Sequence, residues 1–240
     1  LLLDDYSEIK AVAVGKAAGS MADGLYQAIG SSIKDGLVIT KHGFGKTHHS
    51  YQMVSSAHPV PDESSLYAYR AVESYVTGIN NEGLLFLLLS GGASSLMCAP
   101  AEGVPFCEKR ELIRSLLLQG ASIEQLNTIR RHLSECKGGN LLRKFSGKKM
   151  VALVLSDVLG DTPENIASGP VSADPTTFCD AMRILESFQI NFSEYPGIRD
   201  YLESGIEGMV PETVKPGDPL LGRQQYHVLA NNSDFVSEIK

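Results

Sequence analysis

The feature that most constrains the fold is a run of six apolar residues, LLFLLL, from Leu84 to Leu89. A strand with one solvated face would carry polar residues at alternate positions, and this run carries none. The pattern is typical of a strand buried on both faces, as in a parallel sheet covered by helices. The run ends in Ser90, Gly91 and Gly92, which are too small to fill a core. Another role is therefore expected for the segment that follows the strand.

Apolar strands and helices alternate along the rest of the chain. Further buried strands are predicted at 11–15, 36–40, 53–57, 150–157 and 226–231. Helices are predicted at 18–29, from the turn HPVPDESS to Val76, within 106–145, at 176–188 and at 198–202, and a last one begins at a capping Ser233. This order predicts the α/β class, with a mostly parallel sheet covered on both faces. Ligands of such folds bind beyond the carboxyl ends of the strands, so the candidate site lies there.

Composition and charge limit the classes of partner. The chain has 240 residues, 43% of them hydrophobic, and a formal net charge of −7. This balance disfavours a nucleic acid or a membrane surface as partner, although a local cluster of Lys and Arg could still bind a small anion. No apolar run is long enough to cross a bilayer. The four cysteines, Cys98, Cys107, Cys136 and Cys179, lack metal-ligand or redox spacing, which indicates reduced thiols and a cytoplasmic location.

The first predicted strand leads into the turn GKAAGS, which contains Lys16. A lysine beside the free N–H groups of a helix start can bind phosphate or carboxylate, and the alternative is a solvated lysine in a turn. The spacing is not the GxGxxG of dinucleotide-binding folds. Further on, the residues 45–47, GKT, resemble the end of a Walker A loop, but Thr40 stands where that motif needs glycine. We therefore predict an ordinary loop at 43–47.

The segment SGGASS after the apolar run predicts an anion-binding turn. Gly91 and Gly92 allow close approach of the backbone to an anion, and the N–H groups of such a turn form a nest. Ser94 and Ser95 are predicted to cap the helix that begins there. One alternative is a tight turn without a ligand. Another is a serine hydrolase with Ser94 as nucleophile, which the absence of a GxSxG elbow disfavours.

The stretch GASIEQLNTIRRHLSECKGG predicts a helix with two stripes of different character. Ser122 and Gln125 fit a capping box at its start. The predicted buried stripe consists of Ile123, Leu126, Ile129 and Leu133, and a polar stripe beside it consists of Asn127, Arg130, Ser134 and Lys137. Arg130 and Lys137 could hold an anion or pair with Asp157 or Asp161. Glu124, Arg131 and Glu135 are predicted to point away, with Arg131 solvated.

Two carboxylates follow the strand at 150–157. Asp157 ends the segment, and Asp161 lies four residues further on in SDVLGD. Mg²⁺ is usually held by one or two carboxylates together with phosphate oxygens, so both residues are candidate metal ligands. The alternative is that Asp157 caps a turn or pairs with Arg130.

Taken in order, five motifs resemble the glycerate 2-kinase family, the type whose members carry a C-terminal MOFRL domain. The motifs are GKAAGSMA, AHPVPDESS, LLSGGASSLMCAP, GASIEQLNTIRRHLSECKGG and LVLSDVLGDTPENIASGP with DPTT, spread over residues 11–177. The resemblance implies a Rossmann-like three-layer α/β/α sandwich for 1–240, ligands D-glycerate and ATP, and the cofactor Mg²⁺. It implies phosphorylation of the 2-hydroxyl to give 2-phosphoglycerate. The chain does not begin with Met, and its last helix has just begun, so a further domain is expected.

The resemblance and the residues together assign roles to the candidate site. Lys16 is the leading catalytic candidate and would take the charge of the transferring phosphoryl group. Phosphate or the substrate carboxylate would be bound by Ser90, Gly91, Gly92 and Ser94, with Arg130 and Lys137 as a clamp. Asp157, with Asp161, would hold Mg²⁺ or orient the 2-hydroxyl. The sequence leaves a homodimer open.

The sequence also departs from the family pattern. KGGNLLR stands where relatives usually have KGGRLA, so a basic contact at Asn140 is missing. The motifs of the C-terminal domain are absent, and the segment alone is expected to be inactive. Two other functions stay open: an NAD(P)H-dependent hydroxypyruvate reductase, for which no nucleotide fingerprint is found, and a non-catalytic domain that senses an anion.

Overall fold

One sheet of parallel strands organises the computed structural model, which describes residues 2–44, 51–158 and 160–238. The strands are β1 (Ile9–Val14), β2 (Asp35–Lys41), β3 (Tyr51–Ser56), β4 (Leu84–Leu89), β5 (Lys149–Leu155) and β6 (Gln224–Ala230). Their spatial order is β3-β2-β1-β4-β5-β6, and every neighbouring pair is parallel. The predicted α/β class is therefore confirmed. The predicted GKT loop at 45–47 lies outside the described residues.

Helices follow the strands and cover the sheet. They are α1 (Ala18–Ile29), α2 (Glu63–Thr77), α3 (Ala93–Leu96), α4 (Phe106–Leu118), α5 (Ile123–His132), α6 (Asn140–Lys144), α7 (Phe178–Ser187), α8 (Pro196–Ile206) and α9 (Asn232–Glu238). None of the described helices combines the length and the apolar character needed to cross a bilayer.

The apolar run that predicted a doubly buried strand is the centre of the sheet. All six residues of β4 are buried, and alternate side chains enter different cores. Leu85, Leu87 and Leu89 join a core shared with α2 and α6, whereas Leu84, Phe86 and Leu88 join a core shared with α1. Helices thus cover both faces of the sheet, as the resemblance implied.

A third core lies beside the sheet, among helices α4, α5, α7 and α8. The predicted capping box at Ser122 and Gln125 starts α5, with the Gln125 N–H donating to Ser122 Oγ over 3.3 Å. However, α5 ends at His132, so Ser134 and Lys137 lie in the following turn rather than on the helix. Ile123 is 51% exposed and is not part of the buried stripe.

Two glycines explain why the chain turns after α5 and starts α6. Gly138 and Gly139 have φ angles of +58° and +79°, which favour glycine. There is also no room for a side chain at either position. A Cβ at Gly138 would lie 2.8 Å from a methyl carbon of Thr213, and one at Gly139 would overlap Val214. The loop at 213–214 is therefore packed directly on this turn.

Three predicted details of helix starts are wrong. Ser94 and Ser95 do not cap α3; Gly92 occupies the cap position, and no side chain accepts a hydrogen bond there. Ser95 Oγ instead donates to the Pro59 carbonyl over 2.8 Å. Asn231 rather than Ser233 caps the last helix, since Asn231 Oδ1 accepts from the N–H groups of Ser233 and Asp234.

Candidate functional site

The candidate site lies where the strand order reverses. The chain proceeds from β1 to β2 and β3 on one side, and from β4 to β5 and β6 on the other. The turns after β1 and β4 therefore diverge and leave a crevice at the carboxyl ends of the two strands. Lys16 follows β1, and the SGG segment follows β4. The topology brings these two predicted motifs together.

Contacts of the backbone fix the two turns against each other. The Lys16 N–H donates to the Gly91 carbonyl over 2.9 Å, and the Ala17 N–H donates to Ser90 Oγ over 3.1 Å. Gly15 has a φ of +140°, and a Cβ there would overlap Ser90 Oγ. The Ser90 side chain is thus buried and engaged within the protein. Its predicted contact with a ligand stays a prediction.

Three polar side chains converge on the glycine pair. A Cβ built at Gly91 would collide with the Asp157 carboxylate. One built at Gly92 would lie 2.8 Å from His58 Cδ2 and 3.3 Å from Lys16 Cε. The absence of side chains at Gly91 and Gly92 therefore lets Lys16, His58 and Asp157 surround one small space.

Several donors around this space have no partner in the described part of the chain. The N–H groups of Gly91 and Gly92 donate to no described residue. Lys16 and Asp157 are exposed, and neither side chain forms an ion pair or hydrogen bond with a described residue. Asp157 does not pair with Arg130, so that alternative is excluded within the described residues. The arrangement offers a cation, two amides and a carboxylate to a ligand.

His58 is a site residue that the sequence reasoning missed. It lies just beyond β3, in the motif AHPVPDESS. Burial lowers the pKa of His58, and the charges of Lys16 and Lys41 lower it further, while Asp157 opposes them. The imidazole is therefore neutral at pH 7. Since ligands of parallel sheets bind beyond the carboxyl ends of the strands, the position of His58 after β3 was a signal that the sequence already contained.

Lys137 is buried beneath the SGG segment, at 1% exposure. Its Nζ donates to the Ser94 carbonyl over 2.8 Å and to Ser94 Oγ over 3.1 Å. Ser94 Oγ also lies 2.9 Å from Ser168 Oγ. Lys137 therefore holds α3 in place, and it forms no ion pair with Asp157 or Asp161 among the described residues.

Arg130 is partly buried and forms no ion pair with an acidic side chain of the described residues. The one hydrogen bond of its guanidinium to a described residue reaches Asn127 Oδ1 over 3.4 Å. Burial lowers the pKa of Arg130. Arg130 and Lys137 both line a cavity of about 500 Å³ beside α3. The structure thus brings the two predicted clamp residues to one cavity, and their contact with an anion stays a prediction.

The prediction that Arg131 is solvated is wrong. Arg131 is 3% exposed, its Nε lies 3.0 Å from Asp174 Oδ1, and its Nη1 donates to the Glu164 carbonyl over 3.1 Å. Glu135 likewise does not point to solvent, since it accepts from Lys144 over 3.1 Å and from Tyr69 over 3.2 Å. Glu135 lies beyond the end of α5, so the helical projection does not apply to it. Arg131 lies within α5, and its partners are distant in sequence.

The two predicted metal ligands differ in their surroundings. Asp157 presents an exposed carboxylate beside the Gly91 amide. Asp161 Oδ2 accepts from Asn231 over 2.7 Å, and its Oδ1 is buried without a hydrogen-bond partner. Residues 2–44, 51–158 and 160–238 contain no group of three His, Cys, Asp or Glu side chains that could hold a metal ion. The donors fit Mg²⁺ only as one carboxylate completed by phosphate oxygens.

Comparisons with known proteins place these features in a family. Residues 1–203 match the family described as Domain of unknown function (DUF4147). A D-glycerate 2-kinase of Thermotoga maritima is 45% identical over 95% of this chain and 52% of its own length. A protein of Agrobacterium vitis, provisionally named a hydroxypyruvate reductase, is 39% identical over 76% of this chain and 42% of its own length.

The fold comparison agrees with the sequence comparison. A crystal structure of glycerate kinase from Thermotoga maritima superposes with a TM-score of 0.85 at 39% identity, covering 97% of this chain and 53% of that chain. The chain therefore spans about half the length of the relatives it matches. It belongs to the DUF4147 family, and its resemblance to the glycerate 2-kinases is confirmed.

Proposed function

We propose that this chain is the N-terminal part of an ATP-dependent kinase that phosphorylates D-glycerate at the 2-hydroxyl to give 2-phosphoglycerate. The observation that carries the proposal is a set of polar groups at the point where the strand order reverses. These groups have no ion-pair or hydrogen-bond partner among the described residues. An exposed Lys16 stands beside the free amides of Gly91 and Gly92, opposite the Asp157 carboxylate. The names of the relatives support the substrate and the reaction class.

Phosphoryl transfer depends on placement and on charge more than on covalent chemistry. The hydroxyl oxygen attacks the terminal phosphorus, the bond to the ADP oxygen breaks, and the hydroxyl proton passes to an acceptor. Negative charge is carried by the oxygens of the transferring group. Lys16 and the amides of Gly91 and Gly92 are the groups that would stabilise this charge. Arg130 and Lys137 would hold a further anionic part of the ligands.

His58 extends the roles that the sequence assigned. Its pKa is lowered by burial and by Lys16 and Lys41, so the neutral imidazole can accept a hydrogen bond at pH 7. We propose that His58 or Asp157 receives the hydroxyl proton or orients the hydroxyl. Mg²⁺, when bound to Asp157, would neutralise phosphate charge. The fit of Asp161 to that role is weaker, because one of its oxygens is engaged by Asn231.

A reductase is the second candidate because one relative carries that provisional name. The turn after β1 reads GKAAGS and lacks the GxGxxG on which a dinucleotide pyrophosphate rests. With Gly15 as the first glycine of that motif, Ala17 and Ser20 stand where it needs the second and third glycines. The kinase is therefore the better supported proposal.

The proposal includes features of the whole protein that this chain does not span. It includes a second domain of the MOFRL type, a cytoplasmic location and the option of a homodimer. Since the chain spans about half the length of its relatives, we expect the 240 residues alone to be inactive.

The experiment is a turnover assay with D-glycerate, ATP and Mg²⁺ on a protein extended to the full length of its relatives. Lys16→Met should lower kcat by at least about 100-fold, because it removes the unpaired cation at the reacting phosphate. The control is Arg183→Met, which alters an exposed arginine paired with Asp180 and should leave kcat unchanged. Near-normal turnover of the Lys16 variant would contradict the assignment. Oxidation of NADH by hydroxypyruvate without ADP release would favour the reductase.

A further inference from the structure

A cavity of about 500 Å³ is bordered by Ser94 and Ser95 of α3, and Lys16 is not among the residues that line it. Its walls come from α3, from α4, from residues 59–61 and from the turn after α5. It adjoins the glycine-pair space, because α3 borders both and Ser95 ties α3 to Pro59, the neighbour of His58. Three of its lining residues, Ser94, Arg130 and Lys137, are candidate site residues in the sequence, but the sequence does not indicate a pocket.

Three cations meet at this cavity, two of them buried and the third, Arg130, partly exposed. Lys109, Arg130 and Lys137 all line it, and no carboxylate among the described residues lies within ion-pair distance of any of them. Lys109 Nζ donates to the carbonyls of Leu133 over 2.6 Å and of Ala99 over 3.2 Å. Neutral carbonyls leave its charge uncompensated.

The lack of a compensating carboxylate among the described residues agrees with the lowered pKa of the Lys109 ammonium. Burial lowers its pKa to about 8; Cys98 and Cys136 oppose this shift, whereas the charges of Lys137 and Arg130 act in the same direction as burial. Grouping three like charges, two of them buried, is costly unless an anion joins them. Arg110 and Arg114 add two exposed cations at the rim, where Glu111 also lines the cavity and lies 3.8 Å from Arg114. The cavity is therefore suited to an anion that carries several charges.

The other walls of the cavity are apolar. Phe106, Ile113 and Leu117 of α4 face one side, and Pro59 and Pro61 belong to the loop after β3. Leu117 is 53% exposed, so part of this apolar wall is open to solvent. Apolar walls with a few convergent polar groups and a volume between about 300 and 1,000 Å³ are typical of pockets for ligands of nucleotide size.

We propose that this cavity holds the nucleotide, with the polyphosphate on Arg130, Lys137 and Lys109 and the base against α4. A small hydroxy acid carries one negative charge and has no part that would cover the apolar wall. A nucleoside triphosphate carries about four charges and a flat aromatic base. The inference rests on the proposed function for the identity of the phosphate donor. It assigns the acceptor to the space around Lys16, His58 and Asp157.

The first test is calorimetric titration of the 240-residue chain with ATP, with and without Mg²⁺. Arg130→Met should weaken ATP binding by roughly 10- to 100-fold, because a charged hydrogen bond to phosphate is lost. Arg110→Met, at the exposed rim, should weaken it by a smaller factor. Arg183→Met is the matched control and should change nothing. ATP binding that is absent, or unaffected by Arg130→Met, would overturn the proposal.

The second test locates the base. Photolabelling with 8-azido-ATP, followed by mass spectrometry of peptides, should modify residues of α4 or the segment 59–61, and excess ATP should suppress the label. Labels confined to other segments would overturn the proposal. Binding of D-glycerate, but not of ATP, that depends on Arg130 would overturn it too, by assigning the cavity to the acid.

The two proposals fail in different ways. If the extended protein forms no phosphoglycerate while ATP binding still depends on Arg130, the kinase proposal fails and the nucleotide pocket stands. If phosphoglycerate forms while ATP binding is indifferent to Arg130, the kinase proposal stands and the pocket assignment fails.

Discussion

Replacing Arg131 with Met should destabilise the protein strongly, whereas the same change at the adjacent Arg130 should not. Arg131 is buried, with its Nε 3.0 Å from Asp174 Oδ1. Asp174 is fully buried, so removal of Arg131 leaves a carboxylate without its counter-ion. Arg130 has no acidic partner among the described residues, and its one hydrogen bond to Asn127 is long, at 3.4 Å.

The size of the destabilisation depends on the hydrogen bonds that Asp174 retains when Arg131 is removed. Breaking a buried ion pair by removing one partner costs about 3–5 kcal/mol. Asp174 still accepts from the Thr176 N–H over 3.0 Å, from Thr176 Oγ1 over 2.6 Å and from Thr213 Oγ1 over 2.9 Å. Because these hydrogen bonds remain, we expect the lower end of that range, a loss of about 3 kcal/mol of unfolding free energy for Arg131→Met. For a chain of this length that lowers Tm by roughly 6–12 °C.

The assay is thermal and urea unfolding of the two single variants beside the parent chain. Arg130→Met should stay within about 1 kcal/mol of the parent, since it removes a partly exposed cation that has no ion-pair partner among the described residues. ATP binding should show the opposite order, with Arg130→Met affected and Arg131→Met unaffected below its Tm. An Arg131→Met variant within about 1 kcal/mol of the parent would refute the reasoning. An Arg130→Met variant that is equally unstable would refute it as well.

Three further outcomes are expected. In urea unfolding, Gly15→Ala should lower the free energy of unfolding by more than about 2 kcal/mol, because its Cβ would overlap Ser90 at a φ of +140°. Gly103→Ala, which has open space around it, should lower the free energy of unfolding by about 1 kcal/mol. The NMR titration of His58 should have its midpoint below about 6.5, and Lys41→Met should raise it; a midpoint above 6.5 would contradict the lowered pKa. Burial alone would raise the pKa of Glu212, but the nearby His132 and Lys215 side chains and a hydrogen bond from the Phe178 N–H lower it to about 2. Its ionised form therefore stabilises the fold above the ordinary value of 4.5, and this contribution is lost as the pH falls toward 2. Glu212→Gln should flatten the fall of Tm between pH 5 and pH 3, and an unchanged slope would contradict the cause.

The fold was predictable because its signals are local. A continuous apolar run such as Leu84–Leu89 predicts burial on both faces without knowledge of the neighbouring strands. The rule for strand ends then indicates Lys16, the SGG segment and Asp157 as one site, and the structure does bring them together. The capping box at Ser122 and Gln125 is equally local and was predicted correctly.

The errors concern partners that are distant in sequence. Arg131 pairs with Asp174, and Glu135 with Lys144 and Tyr69, which no helical projection of α5 can show. The projection itself failed after His132, where α5 ends and the chain turns toward two positive-φ glycines. Lys109 was missed for a related reason, since the cavity that it shares with Arg130 and Lys137 is formed by elements distant in sequence, including α3, α4 and residues 59–61.

The most direct measurement is the identity of the phosphorylated product. A protein extended to the full length of its relatives would be incubated with D-glycerate, ATP and Mg²⁺, and the products followed by phosphorus NMR. Phosphate esterified at the 2-position, formed in step with ADP and abolished by Lys16→Met, is the predicted result. Phosphate at the 3-position would contradict the proposed regiochemistry. Product formation that survives Lys16→Met would contradict the site built around Lys16, Gly91, Gly92 and Asp157.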